Sequence, residues 1–458
     1  MIPLSLEIIA EIVHGKLLHV GDAKKMVVLH AVVDSRIAYA DTFFAALVGE
    51  NVDGHEFAQS AIDNGAAFVL LSRDVGVPSI LVDDVVSALS KLAQNLRDRL
   101  PELQVVAITG SQGKTTTKDL LHHVLSAVGE CVANQASLNN ELGVPLTLLR
   151  CSTTTKYCVV EMGARHRGDI AHLMKIASPN VGVALVVGKA HIGEFGSQED
   201  IAEAKAEIIS GLSDDGIAVL GSYDTFTPRM ADGRLMKVIS FGEKSDCLVR
   251  AADIELREGR AHFDLVTPAG RQAVGLQLLG AHQVANALGA AAAATALGVP
   301  LETISAALST AEISSKWRMA LIDENELLLI NDSYNANPES MVAAIRTLVL
   351  LAQERGGAAW AILGKMHELG ASSVDEHQSI GRLASVIGVD HLVSVGTRDF
   401  LPPDKDEEMV LHYFPDRESA LEIAQHFSAG DVVLVKASRA EGFEELAVNI
   451  INAWKASE

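Results

Sequence analysis

Short apolar runs alternate with amphipathic stretches along this chain, and their periods divide it into three α/β rhythms. In the first, strand-like runs at 43–47, 68–71 and 80–82 flank a helix near 55–64, which Gly65 stops. The opening residues MIPLSLEIIAEIVHGK carry Glu7 and Glu11 inside a helical apolar period and read as the first helix. A helical connector over 85–100 ends at Pro101. The second rhythm has apolar strands at 105–109, 157–162 and 181–187, separated by helical stretches, as in a mostly parallel sheet. Residues 236–280 alternate in strand fashion around turns at Glu258-Gly259 and 268–270. They predict a small antiparallel patch ahead of an alanine-rich packed helix at 287–298.

The third rhythm begins near 313. Strands at 327–330, 361–364, 392–396 and 432–436 are each followed by a helix, and Asn337-Pro338 forms an N-cap and first helical position. This half reads as an open Rossmann-like sheet, yet no G-x-G-x-x-G opens it, so it is expected to be a substrate-binding lid and not a second cofactor domain. The fold expected is α/β in three domains: a small N-terminal α/β domain (1–83), a central P-loop ATPase-type, mostly parallel sheet (84–312) and the Rossmann-like C-terminal domain (313–458). A chain of 458 residues is too long for one core.

Charge narrows the partners. A net charge of −22 with no basic stripe argues against a nucleic-acid groove, whereas a nucleotide site needs only a local positive patch. Cys131, Cys151, Cys158 and Cys247 lack metal-ligand spacing, which predicts reduced thiols in a cytoplasmic protein. No basic leader and no run long enough to span a bilayer is expected.

The chemistry concentrates at strand ends. In VVAITGSQGKTTTKDLLHHV (105–124) a buried strand meets a glycine loop and then a helix. Gly110, Ser111 and Gly113 bring the backbone close to a polyphosphate, Lys114 reaches its β/γ end, and Thr115, followed by Thr116, offers a hydroxyl to Mg²⁺. Ile108 stands where the longer phosphate loop has glycine, so this is the shorter TGxxGKT form. Glu161 closes another strand and is either a Mg²⁺ ligand or a solvated acid. His191, past a third strand, reads as a metal ligand or an ordinary loop residue; Lys205 reads by pattern as a surface lysine. The loop NDSYNANPES (331–340) offers Asp332, Tyr334, Asn335 and Asn337 to a ligand, although a capped turn explains part of it. Lys436 and Arg439, just past the last strand, suit a carboxylate or phosphate.

Together these segments resemble the Mur ligase family of peptidoglycan synthesis over essentially the whole chain. The carriers are TGSQGKTT, EMGA (161–164), AHIGEFGS (190–197), Lys205 and GAHQVAN (280–286). DSYNANPES and LGKMHELG (363–370) look like the member that adds the last amino acids, and DSR (34–36) with DGHEF (53–57) look like its UDP-sugar domain. The resemblance implies ligation of D-alanyl-D-alanine to UDP-N-acetylmuramoyl-tripeptide through an acyl phosphate, with ATP and two Mg²⁺ ions; the alternative is another amino-acid-adding Mur-type ligase. It assigns Lys114, Lys205 and His191 to catalysis, and Thr115, Glu161, His191 and a carbamylated Lys205 to Mg²⁺. Asn286, Arg318 and Asp332 would contact ATP. Ser35 and Arg36 would meet the nucleotide sugar, Asn139 and Asn140 the reacting groups, and Tyr334–Asn337 with Lys436 and Arg439 the dipeptide. A monomer is implied. Departures from the family pattern are Lys365 for Asp, Ala437 for Gly, the reversed pair Gly193-Glu194, Trp317 for Gly, and Gly221-Ser222 at a strand end that often carries Asn.

Overall fold

A computed structural model describes residues 2–28, 30–40, 42–49, 51–135, 138–189, 192–312, 315–324, 326–401 and 409–457. Its backbone is organised by three principal sheets. The first orders the short strands Lys16–Leu18, Ser79–Leu81, Phe68–Leu71, Phe43–Ala45 and Ala31–Val32, with a separate antiparallel pair of Pro3–Ser5 and Met26–Val28 beside it. The helix Leu6–Val13 follows from Ser5, whose side chain caps it at Ile8 N–H.

The second sheet has nine strands. Gln104–Thr109 lies between Tyr157–Glu161 and Val181–Ala184, all parallel. Val105 to Thr109 are buried on both faces, which is why the run is continuously apolar and not alternating. Residues 236–280 do form an antiparallel meander (Val249–Arg257, Arg260–Thr267, Gly270–Leu279). It is not a separate patch, however: Phe241 pairs with Val249, so the meander extends the edge of the central sheet. The alanine-rich helix Gln283–Ala296 packs on this sheet and against Lys114–Ser126, where small side chains allow close approach.

One core runs from the first unit into the second. Leu6, Ile9, Phe68 and Ile80 belong to the same buried cluster as Leu89, Leu92, Leu148 and Ile170, joined through the helix Val85–Asp98. The third sheet orders Ala320–Glu324, Leu327–Asn331, Val432–Lys436, Ala359–Leu363, His391–Val395 and Val410–Phe414, antiparallel only at its first pair. Pro338–Arg355 and Ser373–Ile387 cover one face, and Phe443–Ser457 the other. Asn337 caps the first of these helices in a reciprocal box with Ser340. No helix among the described residues is long and apolar enough to cross a membrane.

Candidate active site

The carboxyl ends of the three parallel central strands converge on one edge, where open α/β sheets bind ligands. After Thr109 the loop turns through Gly113 at φ +80 into the helix that starts at Lys114. A side chain at Gly113 would collide with Asn286, so glycine is demanded by space as well as by backbone. The loop after Val181–Ala184 is tied to it: Ser111 N–H donates to Val186 O and Gly188 N–H to Ser111 Oγ, both at 2.8 Å. Lys114 Nζ rests on Gly110 O at 2.7 Å.

Opposite, Glu161 is 1% exposed. Asn134 Oδ1 accepts from its backbone N–H, and Asn139 Nδ2 donates to its Oε1, both at 2.6 Å; Oε2 is buried and has no hydrogen-bond partner among the described residues. Lys205, on the helix Gln198–Ser210, is 4% exposed, contrary to the surface position its pattern predicts. Burial, reinforced by Lys114, pushes its amine down to about 7. Burial also lowers the Lys114 ammonium, with Glu161 acting against it and Arg318 with it. An acidic protein thus gathers the cations Lys114 and Arg318, and a Lys205 amine whose charge burial disfavours, into one cavity with Glu161.

The third unit closes the other wall of a cavity of about 1680 Å³. Arg318 donates to Thr115 Oγ1 at 3.0 Å and stacks 4.1 Å from the Tyr334 ring centroid. It is flanked by Trp317 and Met319 at φ +59 and +51, so the family's usual glycine at 317 suits the backbone, and here tryptophan bears the strain. Trp317 in turn stacks under Arg439, which is also paired with Glu444. Asp332 Oδ1 accepts from Met319 N–H, and its Oδ2 takes Lys436 Nζ at 2.5 Å. Lys436 is 1% exposed and gives a second hydrogen bond to Asn335 O at 2.8 Å, so its ammonium is committed to shaping the 332–335 loop.

Of the residues singled out in the sequence, Ser111, Gly113, Lys114, Thr115, Thr116, Asn139, Asn140, Glu161, Lys205, Asn286, Arg318, Asp332, Tyr334, Asn335, Asn337, Lys436 and Arg439 all line this cavity. Gly110 lies just behind the loop. Asn140 spends its carbonyl on Gly143 N–H and Asn286 its amide on Gln283. Ser35 and Arg36 do not line the cavity; they occupy a turn capped by Asp34, which holds the Arg36 guanidinium at 2.7 Å. His191 lies outside the described residues. Among the described residues no three His, Cys, Asp or Glu side chains group as a metal site.

Models of the Mur ligase middle domain and of the Mur ligase glutamate ligase domain match residues 108–294 and 317–439. The UDP-N-acetylmuramoyl-tripeptide–D-alanyl-D-alanine ligase of Mycobacterium tuberculosis is 38% identical, with 98% of this chain and 97% of that protein covered. The chain belongs to the Mur ligase family. Among solved structures it is similar to a UDP-N-acetylmuramoylalanyl-D-glutamyl-2,6-diaminopimelate–D-alanyl-D-alanyl ligase from Acinetobacter baumannii (33% identical, 99% of each chain, TM-score 0.85). It is also similar to a MurF ligase from Thermotoga maritima in complex with ADP (29% identical, 94% of this chain and 99% of that one, TM-score 0.81).

Two cavity residues of this Mur ligase escaped the sequence reading. His282, within GAHQVAN, has its Nδ1 buried with no partner among the described residues and its pKa pushed down to about 4 by desolvation, so it is neutral. Glu339, in the first turn of its helix, accepts from Lys189 N–H at 2.8 Å, while Lys189 Nζ pairs with Glu376 at 2.8 Å. These contacts hold the third unit against the loop after Val181–Ala184. An acid beside an N-cap was the signal, but an ordinary helix start explains it equally well. The reversed Gly193-Glu194 has a cause too: a Cβ at 193 would sit 2.8 Å from Gly370 N.

Proposed function

We propose that this Mur ligase joins D-alanyl-D-alanine to UDP-N-acetylmuramoyl-tripeptide, cleaving ATP to ADP and phosphate. The observation that carries the reading is the Arg318–Thr115 hydrogen bond. It brings a lid residue onto a phosphate loop already flanked by Glu161 and Lys205. A carboxylate is a poor electrophile, so the tripeptide's terminal carboxylate attacks the γ-phosphorus of ATP and ADP leaves. The dipeptide amine then attacks the acyl carbon, and phosphate departs from the tetrahedral intermediate with one of the original carboxylate oxygens. Lys114, Arg318 and the loop amides face the charge that moves along the phosphates. Since acyl phosphates hydrolyse, the lid contacts at Arg318, Glu339 and Glu376 serve to exclude water before activation.

The residues present fit Mg²⁺. Glu161 Oε2 is a buried carboxylate oxygen with no hydrogen-bond partner among the described residues, and a buried carboxylate oxygen in that state suits a cation. Thr115, Glu161, His191 and a carbamylated Lys205 would hold the ions, which when bound neutralise the transferring phosphoryl group. Carbamylation needs a neutral amine to add to CO₂, and an amine with pKa about 7 is substantially neutral at physiological pH. Within this reading the chain divides at 1–83, 84–312 and 313–458 and acts as a cytoplasmic monomer, which sedimentation of the purified chain tests.

Phosphate release from ATP and Mg²⁺ with both acceptor and dipeptide tests the function, each component omitted in turn. Release requiring all of them, with a product heavier by the dipeptide, is expected. Release that ignores the dipeptide would move the reading to another amino-acid-adding ligase.

A further inference from the structure

The helix Lys114–Ser126 carries a buried ion pair that the chemistry above does not use. Lys118 Nζ meets Asp119 Oδ1 at 2.8 Å, and their side chains are 2% and 8% exposed. Lys118 Nζ also donates to the carbonyl of Asn134 at 2.9 Å, the residue whose side chain accepts from Glu161 N–H. The second carboxylate oxygen of Asp119 has a different partner: Oδ2 accepts from Ser315 Oγ at 2.6 Å. Taking an ion pair out of water is costly, and here its anion is given to a hydroxyl 196 residues away.

The register of these contacts gives the pair its meaning. Thr115, Asp119 and His123 are four residues apart on the helix, so they share one face at steps of about 6 Å. Each meets one residue of the chain that leads from the helix Leu301–Thr310 to the strand Ala320–Glu324. His123 Nε2 lies 3.3 Å from Thr310 Oγ1, Ser315 binds Asp119, and Arg318 binds Thr115 at 3.0 Å. The three contacts run antiparallel to the helix, toward the phosphate loop. Leu301–Thr310 packs on Gly270–Leu279, so the first contact is internal to the central unit. Arg318 belongs to the third unit, and Ser315 stands between them. Three residues of extended chain span at most about 10 Å. With Ser315 held at Asp119, Arg318 therefore stays within that radius of a point one helical turn from Thr115.

We propose that Asp119, backed by Lys118, is a positioning residue: through Ser315 it fixes the point from which Arg318 reaches the phosphates of ATP. The inference rests on the ligase reading above, in which Arg318 faces the transferring phosphoryl group. Neither Asp119 nor Ser315 lines the cavity, so both act through Arg318 and not on the substrates. A guanidinium tethered in this way is presented to the phosphates at high effective concentration. That raises kcat and leaves the affinities for the nucleotide sugar and the dipeptide alone.

The test is steady-state ligation by the purified full chain with ATP, Mg²⁺, UDP-N-acetylmuramoyl-tripeptide and D-alanyl-D-alanine. Ser315→Ala lowers kcat by about tenfold, with KM for the dipeptide and the nucleotide sugar unchanged within about twofold. Ser315→Thr, which keeps the hydroxyl, restores kcat. In an Arg318→Lys chain, Ser315→Ala costs less than about twofold, because the group it positions is gone. Asp119→Ala gives the same loss as Ser315→Ala, and the two together lose no more than either. Asp119→Ala also leaves Lys118 buried without its counter-charge, so the Ser315 variants decide the case if that chain does not fold. Unaltered kcat in Ser315→Ala would overturn the inference, as would a loss that threonine does not restore. A loss that persists at full size in the Arg318→Lys chain would overturn it too, and assign the contact to folding alone. Failure of the unaltered chain to ligate would instead overturn the reading on which the inference stands.

Discussion

Lys205 stores a measurable instability. Its amine titrates at about 7 in the folded chain against 10.5 when solvated, because burial and then Lys114 disfavour the ammonium. Between those two values the unfolded chain binds more protons than the folded one, so stability rises with pH across that window. Below it both states are protonated, and the folded state bears the whole penalty of about 5 kcal/mol, from 3.5 units at 1.36 kcal/mol each. The same relation leaves about 4 kcal/mol at pH 7 and about 2 kcal/mol at pH 9. Lys205→Met keeps the bulk and discards the charge. In CO₂-free, Mg²⁺-free buffer it is expected to resist urea better than the unaltered chain, by about 4 kcal/mol at pH 7 and about half that at pH 9, while ligation is lost. Urea titrations followed by circular dichroism at the two pH values measure this. No gain at either pH, or a gain that does not shrink from pH 7 to pH 9, would refute a desolvated amine and remove the basis for the proposed carbamylation.

Three further outcomes follow from the same geometry. Lys114→Ala lowers kcat by about a hundredfold or more, read as phosphate release, because its charge faces the transferring phosphoryl group. Asp332→Asn leaves the Lys436 ammonium, 1% exposed, without its counter-charge, and destabilises the chain by about 3 kcal/mol in urea titrations. Lys189→Ala breaks a half-exposed pair with Glu376, so stability changes by about 1 kcal/mol or less. KM for ATP nevertheless rises, because the third unit loses a hold on the central one.

What the sequence disclosed is what local physics dictates. The strand Val432–Lys436, the cap at Asn337 and the meander turns each follow from periodicity or from one residue's side-chain chemistry, and the structure has them at those positions. Edge strands were less legible: Ala320–Glu324 ends in acids and Val410–Phe414 is partly exposed, so neither shows a buried strand's apolar run. The meander's attachment to the central sheet depends on Phe241 meeting Val249, a pairing no local pattern encodes. In the site, the glycine-loop residues Ser111 to Thr116 share one cavity with Glu161, Asn286 and Asp332, whereas Ser35 and Arg36 do not line it. The burial of Lys205 was invisible, since it depends on helix packing around IAEAKAEII rather than on the string. Likewise, nothing in KASRAEG signals that Lys436 is spent on Asp332, because that partner lies 104 residues away.

The central claim is that the tripeptide's carboxylate is phosphorylated before the dipeptide amine attacks. Ligation with both oxygens of that carboxylate labelled with ¹⁸O, followed by mass spectrometry of the released phosphate, tests it most directly. The account predicts one ¹⁸O atom in each phosphate and one in the new amide. Unlabelled phosphate alongside product would contradict it.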